Sequence, residues 1–425
     1  MKNWREKDRE VVWHPFTAVN TDTVNVPIVR GEGVWLIDAE GKRYLDAISS
    51  WWVNLHGHCN PYIAKRVAEQ VMKLEHVMFA GFTHEPAVEL ATRLLEKMPK
   101  QFTKVFYSDN GSTAVEVALK MAFQYWFNQG APRKKVIALE DAYHGDTFGA
   151  MAVGGRGVFS KPFDPFLFEV EFIPTPVFGK ESETLNKLFQ VIEKEEVASF
   201  IYEPLVQGTA GMQVYSPAVL DKMISMCREK GIVIIADEVM TGFGRTGSMF
   251  AMDQCEQKPD LIALSKGITG GFLPMGVTVC TEEMHNSFWS DDEAGKMKTF
   301  LHGHSYTANP LACAAACASL DLMEKDETWE NIQRIERHHA EFAKEAAELS
   351  SVAAVRHKGT ILAIEYETGA QTGYFNSLRD RLYDFFMERG IILRPLGNII
   401  YIIPPYCITE EELNLVYSAI REFNV

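Results

Sequence analysis

Between about residue 60 and residue 310 the chain alternates short apolar runs with longer helical patterns. This alternation restricts the fold more than any other feature of the sequence. The runs are Lys104-Val-Phe-Tyr-Ser, Lys135-Val-Ile-Ala-Leu, Ala198-Ser-Phe-Ile-Tyr-Glu, Gly231-Ile-Val-Ile-Ile-Ala and Leu261-Ile-Ala-Leu. They do not switch between polar and apolar residues, so each reads as a strand buried on both faces. A mostly parallel sheet covered by crossover helices provides that burial. Outside this region the pattern changes. Val34–Asp38 and Arg43–Ile48, separated by Ala39-Glu-Gly-Lys, predict a hairpin. A charged helix is expected over roughly 327–350, then strands at Thr360-Ile-Leu-Ala-Ile-Glu-Tyr and Ile399-Ile-Tyr-Ile-Ile. A last helix opens with the capping box Thr409 to Glu412. The expected organisation is α/β: a large domain over 59–314, and a smaller α+β domain built from 1–58 and 315–425.

Bulk properties exclude several classes. A net charge of -15 argues against nucleic acid as a partner, since that needs a basic face. No uninterrupted apolar stretch is long enough to span a membrane. The charged start, Met1-Lys-Asn-Trp-Arg-Glu, lacks a signal-peptide apolar region. Seven scattered cysteines fit reduced thiols in a cytoplasmic protein better than a disulfide framework. Cys313 and Cys317, four apart in Ala-rich sequence, are expected on one buried helix face.

The chemistry is carried by Asp237 and Lys266, each at the carboxyl end of an apolar run. In an α/β sheet that rim is where ligands bind. A carboxylate there can hold a protonated pyridine nitrogen, and a lysine can form an imine. Pyridoxal phosphate requires that pair of a protein. Glu238 follows Asp237 directly, and strand alternation sends the two to opposite faces, so only Asp237 is assigned to the cofactor.

Ser108-Asp-Asn-Gly-Ser-Thr-Ala-Val-Glu joins a strand to a helix. Gly111 lets the backbone approach a ligand. Ser112 and Thr113 are candidate caps, Thr113 to Glu116 has capping-box spacing, and the first free amides can take an anion. Tyr143, in Ala142-Tyr-His-Gly-Asp-Thr, can cover one face of a flat heterocycle. His144 and Asp146 can orient each other or a neighbour. The pairs His56/His58 and His302/His304 lack carboxylate or cysteine partners at metal spacing, so no metal site is expected.

With these residues in place the chain resembles the class III aminotransferases among the fold-type-I pyridoxal-phosphate enzymes, over nearly its whole length. The resemblance rests on Trp13-His-Pro-Phe-Thr, Ser49-Ser-Trp-Trp-Val-Asn-Leu-His-Gly-His, Asn110-Gly-Ser-Thr-Ala-Val-Glu, Tyr143-His-Gly-Asp-Thr, Glu203-Pro-Leu-Val-Gln-Gly, Asp237-Glu-Val-Met-Thr-Gly-Phe-Gly-Arg-Thr-Gly, Leu264-Ser-Lys-Gly, His302-Gly-His-Ser-Tyr-Thr-Ala-Asn-Pro and Leu393-Arg-Pro-Leu-Gly. It implies that Lys266 bonds the pyridoxal 5'-phosphate cofactor and moves a proton, and that Asp237 keeps the ring nitrogen protonated. Tyr143 would stack near the ring. Gly111, Ser112 and Thr113 would hold the phosphate. Gly303, His304 and Ser305 would reach the cofactor phosphate of a second copy, making a homodimer with shared sites. Arg394 would bind a substrate carboxylate, while Trp51 and Trp52 would wall an apolar chain. Asp146 and Arg245 would support the site. The implied activity is amination of 8-amino-7-oxononanoate to 7,8-diaminononanoate in biotin synthesis, with small-molecule substrates only. S-adenosylmethionine is the default donor. Phe16 stands where the pattern has Tyr, and His304-Ser305 where it has Pro-Thr, which leaves lysine as the alternative donor. Another ω-amine substrate is the alternative activity.

Overall fold

The computed structural model describes residues 4–19, 25–157, 159–194, 196–291, 298–369 and 376–424. Its centre is a seven-stranded sheet. Across the sheet the strands run Phe102–Ser108, Gly276–Thr281, Leu261–Leu264, Val233–Asp237, Val197–Tyr202, Lys135–Leu139 and Val170–Ile173. Every neighbouring pair is parallel except the two made by Gly276–Thr281. The sheet is therefore the α/β arrangement expected. Two of its strands, Val170–Ile173 and Gly276–Thr281, were not legible as apolar runs: Glu171 interrupts one, and Gly276, Thr278 and Thr281 thin out the other.

Four of the five strands read from sequence are covered as their composition demands; the fifth, Phe102–Ser108, lies at the sheet edge with Lys104 exposed, so it is not buried on both faces. Val233–Asp237 and Leu261–Leu264 are buried throughout. Helix Gly111–Asn128 lies on one face and contributes Ala114, Val115, Val117, Ala118, Leu119 and Ala122 to a core that includes Val136, Ile201, Ile235 and Ala263. At about 25 cal/mol per Å² of apolar surface, the Val, Leu and Ile side chains among them each contribute roughly 1.5–3 kcal/mol to the core.

The expected caps of this helix need correcting. Neither Ser112 nor Thr113 is the N-cap, and Thr113–Glu116 is not the capping box. Asn110 is the cap: its side chain accepts from Thr113 N at 3.0 Å, and Thr113 Oγ1 accepts from Asn110 N at 3.2 Å. Asn110 has extended φ/ψ, so the helix begins two residues earlier than a Ser112 cap, and three earlier than a Thr113 cap, would place it. Glu116 instead accepts from the backbone amides of Gly149 and Ala150.

The chain ends meet in a second sheet. Ile28–Glu32, Trp35–Asp38 and Arg43–Asp46 form an antiparallel meander that contains the expected hairpin, and Ile391–Ile392 adds in parallel beside Leu45 and Asp46. A three-stranded antiparallel sheet follows, Val352–Lys358, Ile361–Tyr366 and Ile399–Ile402. The charged helix runs Asp326–Ala346, and the last helix, Glu410–Glu422, opens with the Thr409–Glu412 capping box. Cys313 and Cys317 lie buried in helix Pro310–Met323.

Candidate active site

The parallel strands place their carboxyl ends along one rim, and the chemistry-bearing residues follow directly. Ser108 leads to Asp109–Ser112, Leu139 to Tyr143–Gly145, Tyr202 to Glu203, and Leu264 to Ser265 and Lys266. Asp237 is itself the last strand residue. The one reversed strand brings its amino end to the same rim, through Pro274 and Met275. Together these line a cavity of about 440 Å³, within the range of small-molecule sites.

At its floor Asp237 Oδ2 accepts from His144 Nδ1 at 2.7 Å and Oδ1 accepts from Val239 N at 3.0 Å. The imidazole thus carries its proton on Nδ1, while Nε2 is buried without a partner. Glu238 points the other way. It is fully buried and accepts from Thr241 Oγ1 and the backbone amides of Ala251 and Met252. Strand alternation thus separates the two carboxylates.

Lys266 Nζ sits 4.3 Å from the centre of the Trp52 ring. Burial pushes its pKa down to about 8 from 10.5, against the opposing charges of Asp237 and Glu203. Roughly a tenth of such amines are uncharged at pH 7, against about one in three thousand for a free lysine. Its φ of +46° lies in the left-handed region, strain of the kind that gathers at functional sites.

Two glycines admit the cavity's anion end. A Cβ on Gly145 would lie 2.1 Å from Ser112 Oγ, and one on Gly111 would lie 2.8 Å from Val239 Cγ1. Ser112 Oγ accepts from Asp146 N at 3.2 Å, and Asp146 Oδ2 accepts from Tyr143 Oη at 2.9 Å.

The two tryptophans part company. Ser49, Ser50, Trp51 and Trp52 all have positive φ, forming one left-handed turn. Such residues cost roughly 1–2 kcal/mol each. Ser49 Oγ donates to Ile403 O and Ser50 Oγ to Asp46 Oδ2, both at 2.7 Å. Arg245, fully buried and in no ion pair among the described residues, donates to the carbonyls of Trp52, Asn54 and Pro404. Held this way, Trp52 lines the cavity and Trp51 faces outward. Outside, the Trp51 and Phe16 rings meet edge to face at 5.4 Å, and the Arg394 guanidinium lies 4.4 Å from the Trp51 ring. Arg394 has no carboxylate partner among the described residues. Phe16 also borders a neighbouring hollow of about 500 Å³ with Trp13, Phe159 and Arg379.

Of the residues singled out from sequence, Lys266, Asp237, Tyr143, Gly111, Ser112 and Trp52 line the cavity. Thr113 stands behind them in the capping box. Phe16, Trp51 and Arg394 form the outer cluster. Gly303, His304 and Ser305 lie apart, on a segment where His304 N donates to Thr307 Oγ1 and His302 Nδ1 lies 2.9 Å from Lys120 Nζ. The sequence reading gave no role to Glu203, a buried carboxylate in the same cavity. Its signal was the position directly after an apolar run, the same signal that found Asp237.

The profile of the family described as Aminotransferase class-III matches residues 16–423. The chain belongs to the class III aminotransferases. A relative from Synechococcus elongatus, named adenosylmethionine-8-amino-7-oxononanoate aminotransferase, is 46% identical over 97% of each chain. A crystal structure under the same enzyme name from Methanocaldococcus jannaschii superimposes with a TM-score of 0.93 at 40% identity, over 99% of both chains. An (S)-enantioselective omega-transaminase from Thermomicrobium roseum matches with a TM-score of 0.91 at 32% identity, over 98% of this chain and 96% of that one. The cofactor of this aminotransferase is pyridoxal 5'-phosphate. The cavity fits it: a poised amine, a carboxylate braced on both oxygens, and an anion end kept open by glycines.

Proposed function

We propose that the chain transfers an amino group to 8-amino-7-oxononanoate, giving 7,8-diaminononanoate in biotin synthesis. Relatives named for this reaction, 36% to 46% identical over nearly the full length, support the reading. The structural observation that carries it is the separation of Lys266 from Arg394 by an aromatic wall. A substrate with an amino–keto end, a long apolar chain and a remote carboxylate matches that layout.

Pyridoxal phosphate, when bound, supplies an electron sink for the substrate carbon that loses its proton. Lys266 Nζ, its pKa lowered to about 8 by burial, takes that proton and returns it. Asp237, fixed by His144 and the Val239 amide, would hold the ring nitrogen of the cofactor, and Tyr143 would lie against the ring. Gly111 and Ser112 hold the phosphate, with Thr113 fixing the helix start. Trp52 packs beside the amine, and Trp51 and Phe16 flank the chain of the keto acid. Arg394 binds its carboxylate through a planar fork. Donor and acceptor use the cavity in turn, a ping-pong scheme. The donor is S-adenosylmethionine, with lysine as the alternative.

The working unit is a cytoplasmic homodimer in which Gly303, His304 and Ser305 reach the partner's phosphate. No helix among the described residues is long and apolar enough to cross a membrane.

The test is the absorbance of the cofactor-loaded protein before and after adding 7,8-diaminononanoate without donor. Loss of the visible band with release of 8-amino-7-oxononanoate supports the acceptor. An unchanged band moves the assignment to another ω-amine, the activity named for structural neighbours such as the Thermomicrobium enzyme.

A further inference from the structure

Glu203 follows the strand Val197–Tyr202 and is 6% exposed, deeper than a carboxylate normally sits without a cation bonded to it. Its oxygens are tied to two different loops. Oε2 accepts from Tyr143 N at 3.3 Å, and Oε1 accepts from Gly208 N at 3.1 Å. Its own carbonyl accepts from Tyr215 Oη. The groups facing it are Tyr143 and His144 after one strand, Tyr215, Asp237 at the end of another strand, and Lys266. Asp237 and Glu203 are thus two carboxylates beside one amine, yet only Asp237 is braced by an imidazole.

We propose that Glu203 is a positioning residue: it pins the Tyr143–His144 turn over the cavity and sets a second negative charge against Lys266. The pinning follows from the bonds. Tyr143 N is anchored by no strand ladder, since the strand ends at Leu139; the Glu203 carboxylate accepts from it, beside the bonds that Ala142 makes to Leu139 and Gly155. His144, one residue on, must stay within 2.7 Å of Asp237 for the floor of the site to keep its geometry. The charge acts on the amine. Burial pushes the Glu203 pKa up to about 7 from 4.5, so its ionisation falls in the working pH range. When it ionises, the protonated form of Lys266 is favoured. The two roles separate in mutants: Glu203→Gln removes the charge and retains one acceptor, whereas Glu203→Asp keeps the charge and withdraws the reach.

The proposal rests on Lys266 being the reactive amine, and the test of its charge role needs neither cofactor turnover nor any choice of keto acid. Cofactor-free protein is pulsed with acetic anhydride across a pH series, and acetylation of Lys266 is read by peptide mass spectrometry. The pH midpoint reports the uncharged amine. In Glu203→Gln the midpoint is expected to fall by about half a unit or more, because one attractive charge is lost in a low-dielectric cavity. In Glu203→Asp the midpoint is expected to stay, while kcat of the loaded enzyme falls several-fold with little change in KM. A wild-type midpoint in Glu203→Gln overturns the charge role. Wild-type kcat in Glu203→Asp overturns the positioning role. If Glu203→Gln does not fold, Glu203→Asp with an unmoved midpoint and reduced kcat supports the proposal, and Glu203→Asp indistinguishable from wild type overturns it. A shifted midpoint in Glu203→Gln, alongside wild-type enzyme that is inactive on 7,8-diaminononanoate, would refute the substrate reading and leave this one standing.

Discussion

Replacing Lys266 with Met should stabilise the cofactor-free protein at neutral pH, and the gain should fade as the pH rises. The folded state holds the amine at about 8, against 10.5 when it is free. Below pH 8 the amine is charged in both states, and the folded protein bears the full cost of burying it. That cost is about 3 kcal/mol from the size of the shift. Two effects reduce it. The cavity admits water to the amine, and the Trp52 ring 4.3 Å away returns roughly 0.5–1 kcal/mol of cation–π attraction that Met forgoes. The net gain expected at pH 7 is about 2 kcal/mol. Between pH 8 and 10.5 the unfolded chain binds more protons than the folded one, so wild-type stability rises with pH. By pH 9.5 the advantage of Met should shrink to about 1 kcal/mol or less. Urea denaturation of the two cofactor-free proteins, at equal concentration and at both pH values, measures this directly. A variant no more stable than wild type at pH 7, or a gain that does not change by pH 9.5, would show that burial does not govern this amine.

Other substitutions probe other parts of the site. Gly145→Ala should release the cofactor faster and lower stability by about 1–3 kcal/mol, because its Cβ would press on Ser112; dialysis and thermal melts read the two effects. His144→Ala leaves Asp237 Oδ2 without its imidazole, so single-turnover amine transfer should slow by roughly 5- to 100-fold, as stopped-flow absorbance would show; an unchanged rate would mean that the 2.7 Å contact is incidental to the site. Arg394→Ala should raise KM for the carboxylate-bearing keto acid about 10- to 100-fold with kcat largely kept, and should not affect an uncharged aldehyde acceptor. Arg245→Met strips three backbone carbonyls of their donor, and chemical denaturation should show a loss of several kcal/mol together with disturbed Trp52 fluorescence.

Much of the fold was legible because burial on both faces forces a continuous apolar run. Four of the five strands that read that way are buried, whereas Phe102–Ser108 lies at the sheet edge with Lys104 exposed. Those missed were interrupted by polar residues, as at Glu171 and Thr278, or were only two residues long, as at Ile391–Ile392. The opposite facing of Asp237, toward the cavity, and Glu238, toward the loop behind it, was expected from alternation, although the strand itself ends at Asp237. The cap of helix Gly111–Asn128 was misread because Asn, Ser and Thr all cap well and lie within four residues of one another; only backbone conformation chooses among them.

Local sequence thus determined which residues end strands and what chemistry they carry, because side-chain period and burial are encoded within a few residues. Tertiary structure alone decided which of them meet. Trp51 and Trp52 are neighbours in the chain, yet a left-handed turn held by Arg245, Asp46 and Ile403 sends one into the cavity and the other against Phe16 and Arg394. Glu203, 60 residues from Tyr143, anchors it only because parallel strands deliver their carboxyl ends to a single rim. Such contacts depend on strand order and backbone strain, which are set by packing over the whole chain.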